Sequence, residues 1–283
     1  MRQFTDQPAD RPIGRPGPGP ASVVAEPAEA WPIGGGPPPS AAWLPLASGR
    51  AAEQLALDEA LLEEAHAGLL SAPVVRTWMA DEPTVVVGSS SRIDQEVDRA
   101  ACRAAGVGIV RRPSGGLTVV LGPGCVMWSV VAPLPAGPAP AIERLHAGLL
   151  GPLAEALSAA GRPVVRRGLS DLAVPGPGGE RKVSGNALRV RRGCVLYHGT
   201  LLDRFDLDLI ARLLRHPPRE PDYRAGRAHG SFLANLELGR AAIDAAVRRA
   251  FAVVSQRQHW PADRVAALVE TRYADTAWTE RFD

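Results

Sequence analysis

Arg181-Lys182-Val183-Ser184-Gly185-Asn186-Ala187 runs through Leu188-Arg189-Val190 into Arg191-Arg192-Gly193 and returns as Cys194-Val195-Leu196-Tyr197-His198-Gly199-Thr200-Leu201-Leu202. Two alternating runs about a glycine-containing loop predict a β-hairpin. A three-residue loop at 191–193 pairs Val190 with Cys194, Leu188 with Leu196, Asn186 with His198, Ser184 with Thr200 and Lys182 with Leu202. Side chains alternate along a strand, so Lys182, Ser184, Asn186, His198 and Thr200 then share one face. Nearer the turn that face continues as Leu188, Val190, Cys194 and Leu196. A surface apolar at one end and polar at the other suits a long apolar ligand with a polar head. A half-exposed hairpin whose polar end meets water has the same pattern. A two-residue turn would shift the pairing and split the cluster.

Lys182 stands out in this hairpin. It is the only lysine among 32 basic residues. Lysine carries a compact charge on a flexible stem, whereas arginine is a wide planar fork. A position that keeps an ammonium in an arginine-rich chain predicts a small donor in a confined place.

The rest of the chain bounds what surrounds the hairpin. Its 283 residues are 46% hydrophobic and 22% charged, with a net charge of +2. That composition supports a sizeable globular core and excludes a basic nucleic-acid footprint. The three cysteines, Cys102, Cys125 and Cys194, are too scattered for a disulfide framework or a zinc site. No stretch has the length of a membrane span, and acids at Asp6, Asp10, Glu26 and Glu29 argue against a transit peptide, so a cytoplasmic protein is expected. Residues 1–46 are rich in Pro, Gly and Ala and read as a disordered tail; 47–283 read as one catalytic domain.

Within that domain, Leu55, Leu57, Leu61 and Leu62 predict a first helix over 48–68. Strands follow at 74–78 and 85–87, a helix at 94–105 and a strand at 108–112. Apolar strands at 117–121 and 126–131, separated by Gly122-Pro123-Gly124, read as a second hairpin. Leu145, Leu149, Leu153 and Leu157 predict a helix over 142–160. Strands are expected from 163 and at 170–174, helices at 206–214, 237–254 and 261–273. The fold class is therefore mixed α/β or α+β with substantial antiparallel pairing, a sheet flanked by helices.

Two further stretches bear on chemistry. Arg111-Arg112-Pro113-Ser114-Gly115-Gly116 reads first as a strand-to-strand turn. Its glycines would also let backbone N–H groups approach an anion, with an arginine fork beside them. Ser170-Asp171 sets a carboxylate on the strand preceding the hairpin, a surface residue or one ligand for Mg²⁺. His198 lacks any catalytic or metal spacing and reads as a hydrogen-bonded structural histidine.

Taken in order, these stretches resemble the lipoate–protein ligase A family, within the group that includes biotin–protein ligases and octanoyl transferases. The resemblance runs from about Ala51 to Phe282. Ala52 to Leu62 is similar to the family's first helix, 111–116 to its Arg-Arg-x-Ser-Gly-Gly loop, and Ser170-Asp171-Leu172 to its Asn-Asp-Leu. Residues 181–187 and 198–202 are similar to its two most recognisable signatures. The resemblance implies a largely antiparallel mixed sheet flanked by helices. It also implies activation of lipoate or octanoate with ATP and Mg²⁺ to an acyl-adenylate, then transfer to a lysine of a lipoyl domain. The partners implied are apo lipoyl domains of 2-oxoacid dehydrogenases or the glycine cleavage H protein.

By carry-over, Lys182 contacts the acyl carbonyl and the adenylate phosphate. Arg112, Ser114, Gly115, Gly116, Leu117, Thr118 and Val119, with Ser184, Gly185, His198, Gly199 and Thr200, line the nucleotide and acyl site, and Asp171 holds Mg²⁺. The chain departs from the pattern at Leu117, where the family has a third glycine, and at Gly124-Cys125, where it has Gly-Asn. It has a shorter stretch after Leu236 than ligases with a full accessory domain, which implies a separate accessory subunit. The alternatives are an octanoyl transferase fed by acyl carrier protein, or a catalytically weakened acyl-adenylate binding protein. Transferases use a cysteine where this chain has Ser170-Asp171, or one where it has His216-Pro217-Pro218-Arg219.

Overall fold

The computed structural model describes residues 40–46 and 48–283. The tail expected over 1–46 lies outside the described residues except at its end, where Ala41–Trp43 is a buried strand rather than tail. The elements in order are β1 (Ala41–Trp43), β2 (Ser48–Gly49), α1 (Ala51–His66), β3 (Val74–Ala80), β4 (Thr84–Val87), α2 (Ile93–Glu96), α3 (Arg99–Ala104), β5 (Gly108–Arg111), β6 (Val119–Leu121) and β7 (Cys125–Pro133). Then come α4 (Ile142–Ala159), β8 (Val165–Arg167), β9 (Asp171–Val174), β10 (Arg181–Arg191), β11 (Cys194–Leu202), α5 (Leu207–Leu213), α6 (His229–Phe232), α7 (Arg240–Ala250), β12 (Val253–Gln256), α8 (Ala262–Leu268) and α9 (Thr276–Glu280).

A large mixed sheet runs β12-β1-β3-β7-β11-β10-β9-β8, with β2 alongside β3. Its centre is antiparallel; β12, β1 and β3 are mutually parallel. A small sheet, β5-β4-β6, stands apart. One face of the large sheet packs Trp128, Val195 and Tyr197 against α4 and α7. The other packs Leu196 and Cys194 against α1 and, beyond it, the small sheet. Burial of α1 on nearly all sides explains why its apolar residues run almost continuously, with Asp58 and Glu59 also buried.

Several expected boundaries moved for local reasons. The helix expected over 94–105 is two helices, because Val97 is extended and Asp98 restarts the helix as an N-cap that accepts from the Ala101 N–H at 2.9 Å. The expected hairpin about 122–124 does not form. β6 pairs with β4 in the small sheet, whereas β7 is a central strand between β3 and β11. Both runs are apolar on both faces, so sequence alternation could not assign their neighbours. The end of the helix expected over 237–254 is instead β12, an edge strand.

The decisive hairpin forms with a two-residue loop, Arg192-Gly193, not three. Arg191 therefore faces Cys194, Ala187 faces His198 and Asn186 faces Gly199. The expected polar face is divided by this one-residue shift. Ala187 and Arg189 share the α1 side with His198, while Asn186, Leu188 and Val190 turn to the other side. Lys182 would have been lost with them, but a β-bulge at Val183 intervenes. Below it Lys182 pairs with Ala173, while above it Gly185 pairs with Asp171. The extra residue returns Lys182 to the side of Asp171, Gly185 and His198.

Asn186 uses its position on the far side. Its Oδ1 accepts from Trp128 Nε1 at 3.1 Å and its Nδ2 donates to the Ser170 carbonyl at 2.8 Å. A Cβ on Gly199 would fall 1.7 Å from that Oδ1, so glycine is required opposite Asn186. Gly199→Ala should lower stability by about 1–3 kcal/mol through overpacking. Urea denaturation checks this; an unchanged midpoint would contradict the crossing of Asn186 over Gly199.

Candidate active site

Between the α1 side of β10 and β11 and the loop joining β5 to β6 lies a cavity of about 630 Å³. A second lobe of about 140 Å³ adjoins it, sharing Leu117, Thr118, Val119, Lys182, Gly185 and Thr200 as walls. The smaller lobe is mainly apolar, bordered by Val120, Leu202, Ile210, Leu214, Phe232 and Leu233. The larger holds most of the polar groups. The single hairpin face anticipated from the sequence, apolar near the turn and polar near Lys182, does not build this cavity: Leu188 and Val190 border neither lobe, and charged side chains such as Glu96, Arg215 and Arg224 also wall the smaller one.

Lys182 stands where the lobes meet. Its Nζ lies 2.8 Å from Asp171 Oδ1, and the side chain keeps 27% of its exposure. Tyr223 O–H donates to Asp171 Oδ2 at 3.0 Å. Burial first, and then the neighbouring Asp171, push the Tyr223 phenol well above its ordinary pKa, so it remains a donor. The lysine stem lies along Gly185, where a Cβ would come within 3.0 Å of both Cε and Nζ. Gly185 N–H in turn donates to Thr200 Oγ1 at 3.1 Å. Ala234 N–H donates to the Lys182 carbonyl at 3.0 Å, closing the segment around α6 over the site.

The loop over 112–118 is stapled from inside. Arg112 donates to the carbonyls of Val86 (3.2 Å), Gly115 (2.6 Å) and Leu117 (2.9 Å) and to Ser114 Oγ (3.1 Å). Burial pushes its pKa down to about 10, against the opposing pull of Glu96. Expected as a phosphate fork, Arg112 borders the cavity but commits its donors to the loop that it was expected to assist. Thr118 is fixed likewise: its N–H and Oγ1 both donate to Glu96 Oε2 at 2.7 Å. Conversely, the backbone N–H groups of Gly115, Gly116 and Leu117 have no acceptor among the described residues. Gly116 sits at φ +84, in the left-handed region that favours glycine, and it and Leu117 border the cavity. Unpaired amides on residues that wall the same cavity as Lys182 suit an anionic oxygen.

Most of the expected residues meet here. Arg112, Gly116, Leu117, Thr118, Val119, Asp171, Lys182, Gly185, His198, Gly199 and Thr200 border the larger lobe and Ser184 the smaller. Ser114 and Gly115 lie behind the wall. The Ser184 hydroxyl is bonded to Asn186. Asp171, expected to hold Mg²⁺, takes Lys182 on one oxygen and Tyr223 on the other, and no group of three His, Cys, Asp or Glu is gathered among the described residues.

The sequence reading missed Asp58, Arg76, Glu96 and Tyr223. Asp58 accepts from Arg76 Nη1 and Ser129 Oγ, each at 2.8 Å, and lies 3.2 Å from His198 Nδ1. Burial raises the Asp58 carboxyl, but Arg76, His198 and Ser129 together hold it below its ordinary range. His198 Nε2 lies 2.6 Å from Ser114 Oγ. The available signal was a charge inside an apolar run, at Asp58 among leucines and at Arg76 between Val75 and Trp78. No thiol borders either lobe. Burial pushes Cys125 up to about 12 and raises Cys102 and Cys194.

Comparison with known proteins gives the family and the fold. The octanoyltransferase LipM of Symbiobacterium thermophilum is 32% identical over 267 residues, covering 81% of this chain and 94% of the relative. A putative lipoate-protein ligase A of Aeropyrum pernix is 37% identical over 161 residues, 56% of each chain. Among solved structures, a bi-partite lipoate protein ligase of Thermoplasma acidophilum, studied with its E2 lipoyl domain, shares the fold at a TM-score of 0.72 and 21% identity, covering 86% of this chain and 97% of its own. A lipoate-protein ligase A bound with ATP does so at 0.71 and 21%, covering 86% and 100%. The model of the lipoyl protein ligase A/B catalytic domain matches residues 50–251, and the chain belongs to that family.

Proposed function

We propose that this chain is an ATP-dependent acyl-protein ligase, joining lipoate or octanoate to a lysine of an apo lipoyl domain. The observation that carries this reading is Lys182, fixed by Asp171 where two lobes meet that no thiol borders. In the first step a carboxylate oxygen of the acid attacks the α-phosphorus of ATP and pyrophosphate leaves. In the second the acceptor ε-amine attacks the acyl carbon, AMP leaves and the nitrogen loses a proton. Both steps build negative charge on acyl or phosphoryl oxygen. A held ammonium and free backbone amides stabilise such charge without reorganising. Mg²⁺ enters with the triphosphate, as part of the substrate. The apolar lobe takes the acyl tail, with Leu117 at its junction with the larger lobe.

The likeness to LipM favours a second reading, octanoyl transfer from acyl carrier protein. A thioester route through this chain needs a reactive thiolate, and its three cysteines are buried with raised pKa values. A separate accessory protein, apo lipoyl domains of 2-oxoacid dehydrogenases or the glycine cleavage H protein as acceptors, and a cytoplasmic setting complete the proposal. The bi-partite Thermoplasma acidophilum relative supports the accessory protein.

Mass spectrometry of an apo lipoyl domain incubated with the chain, lipoate, ATP and Mg²⁺ should show the acylated product. Product that forms only from octanoyl-acyl carrier protein, without ATP, would replace the ligase with the transferase. Lys182→Arg should reduce transfer by at least about 10²-fold with an unchanged circular dichroism spectrum, because a wide planar fork replaces the compact charge held beside Gly185. Near-normal transfer in that variant would remove Lys182 from the chemistry. Cys194→Ser should transfer normally.

A further inference from the structure

We propose that Asp58 and His198 are positioning residues for acyl transfer, acting through the Ser114 hydroxyl to hold the backbone N–H groups of Gly116 and Leu117 at the cavity wall. The inference rests on acyl transfer taking place at Lys182, whichever donor supplies the acyl group.

The row begins in the core. Asp58 and Arg76 have no solvent exposure and lie 2.8 Å apart. With Arg76 and Ser129 on Oδ1, Asp58 presents Oδ2 to His198 Nδ1. An ionised carboxylate only accepts, so Nδ1 carries the proton. With that single ring proton, Nε2 is a lone pair, and Ser114 Oγ, 2.6 Å away, donates to it. Arg112 Nε donates to the same oxygen at 3.1 Å, which suits a hydroxyl whose proton already points elsewhere. In that state every proton along the row has one place. A helix, three strands and the loop are tied by bonds of fixed direction.

The order serine, histidine, carboxylate is that of a hydrolytic triad. Ser114 is nonetheless completely buried, borders neither lobe and holds two partners on its oxygen, so it is not the nucleophile. Its place in the chain gives it a different task. It directly precedes the residues whose N–H groups are free, and its own carbonyl accepts from Ser89 N–H at 2.8 Å. Gly116 is held from outside as well, by Ser91 Oγ on its carbonyl at 3.2 Å. Removing the Ser114 hydroxyl frees one side of the loop while leaving the cavity lining, His198 included, chemically intact.

The test compares His198→Gln, Ser114→Ala and the double variant in full-length protein, with whichever acyl donor supports transfer. Each single variant should lower kcat by about 10²-fold, the scale of an ångström misplacement, and leave KM for the lipoyl domain unchanged. The double variant should lose no more than the worse single one. Additive losses, or wild-type kcat in His198→Gln, would overturn the proposal. Nitrogen-15 NMR of the His198 ring reads the anchor without any activity, separating this inference from the assigned reaction. The wild type should show the Nδ1–H tautomer and Asp58→Asn the Nε2–H form. An Nε2–H ring in the wild type would also overturn it. Should Asp58→Asn fail to fold with Arg76 uncompensated, the kinetics of the three other variants and the wild-type spectrum carry the test.

Discussion

One buried carboxylate holds the two halves of this molecule together. Asp58 sits in a helix enclosed by core, where an unpaired charge would cost several kcal/mol. Arg76 from β3, Ser129 from β7 and His198 from β11 all converge on it. Removing one partner of such a buried pair typically costs about 3–5 kcal/mol, because the other charge is left behind. The arrangement therefore selects one docking of α1 on the large sheet. Through His198 and Ser114 it also selects one placement of the loop that closes the cavity.

The division of labour between arginine and lysine follows from their shapes. Arg111 and Arg112 are adjacent on the chain and act as paired staples. Arg111 donates to the carbonyls of Gly88 and Ser91 at 2.7 Å and of Thr279 at 2.8 Å, drawing the C-terminal segment onto the small sheet. Arg112 donates inward to the turn. A fork with five donors suits several carbonyls at once. Lys182 instead presents one compact charge, steadied by Asp171 and backed by Gly185. In a chain whose other Lys/Arg positions are all arginine, the proposed function gives this lysine substrate oxygen, not protein carbonyl, as its partner.

Sequence alone was enough for the fold class, the core helices at α1 and α4, and a set of residues most of which line one cavity. The hairpin signature, the Gly-Gly loop and Asp171 each carry a local pattern, and all of them converge on one cavity. Lys182 was singled out by composition. The correct grouping of Lys182 with His198 and Thr200 was nevertheless reached through a wrong register. The two-residue turn displaced it and the bulge at Val183 restored it, and neither changes the run of residue types enough to be read.

Tertiary structure decided whatever depended on partners distant in sequence. Periodicity reports which faces are apolar but not which strand lies alongside, so β6 and β7 went to different sheets and β1 and β12 went unseen. The role of Arg112 turned on whether carbonyls or a ligand lay within its reach. Asp58 looked like an ordinary polar spacer until β3, β7 and β11 closed around it. A charge belongs to the surface by its chemistry; only the assembled fold can supply the opposite charge, hydroxyl and imidazole that let it be buried.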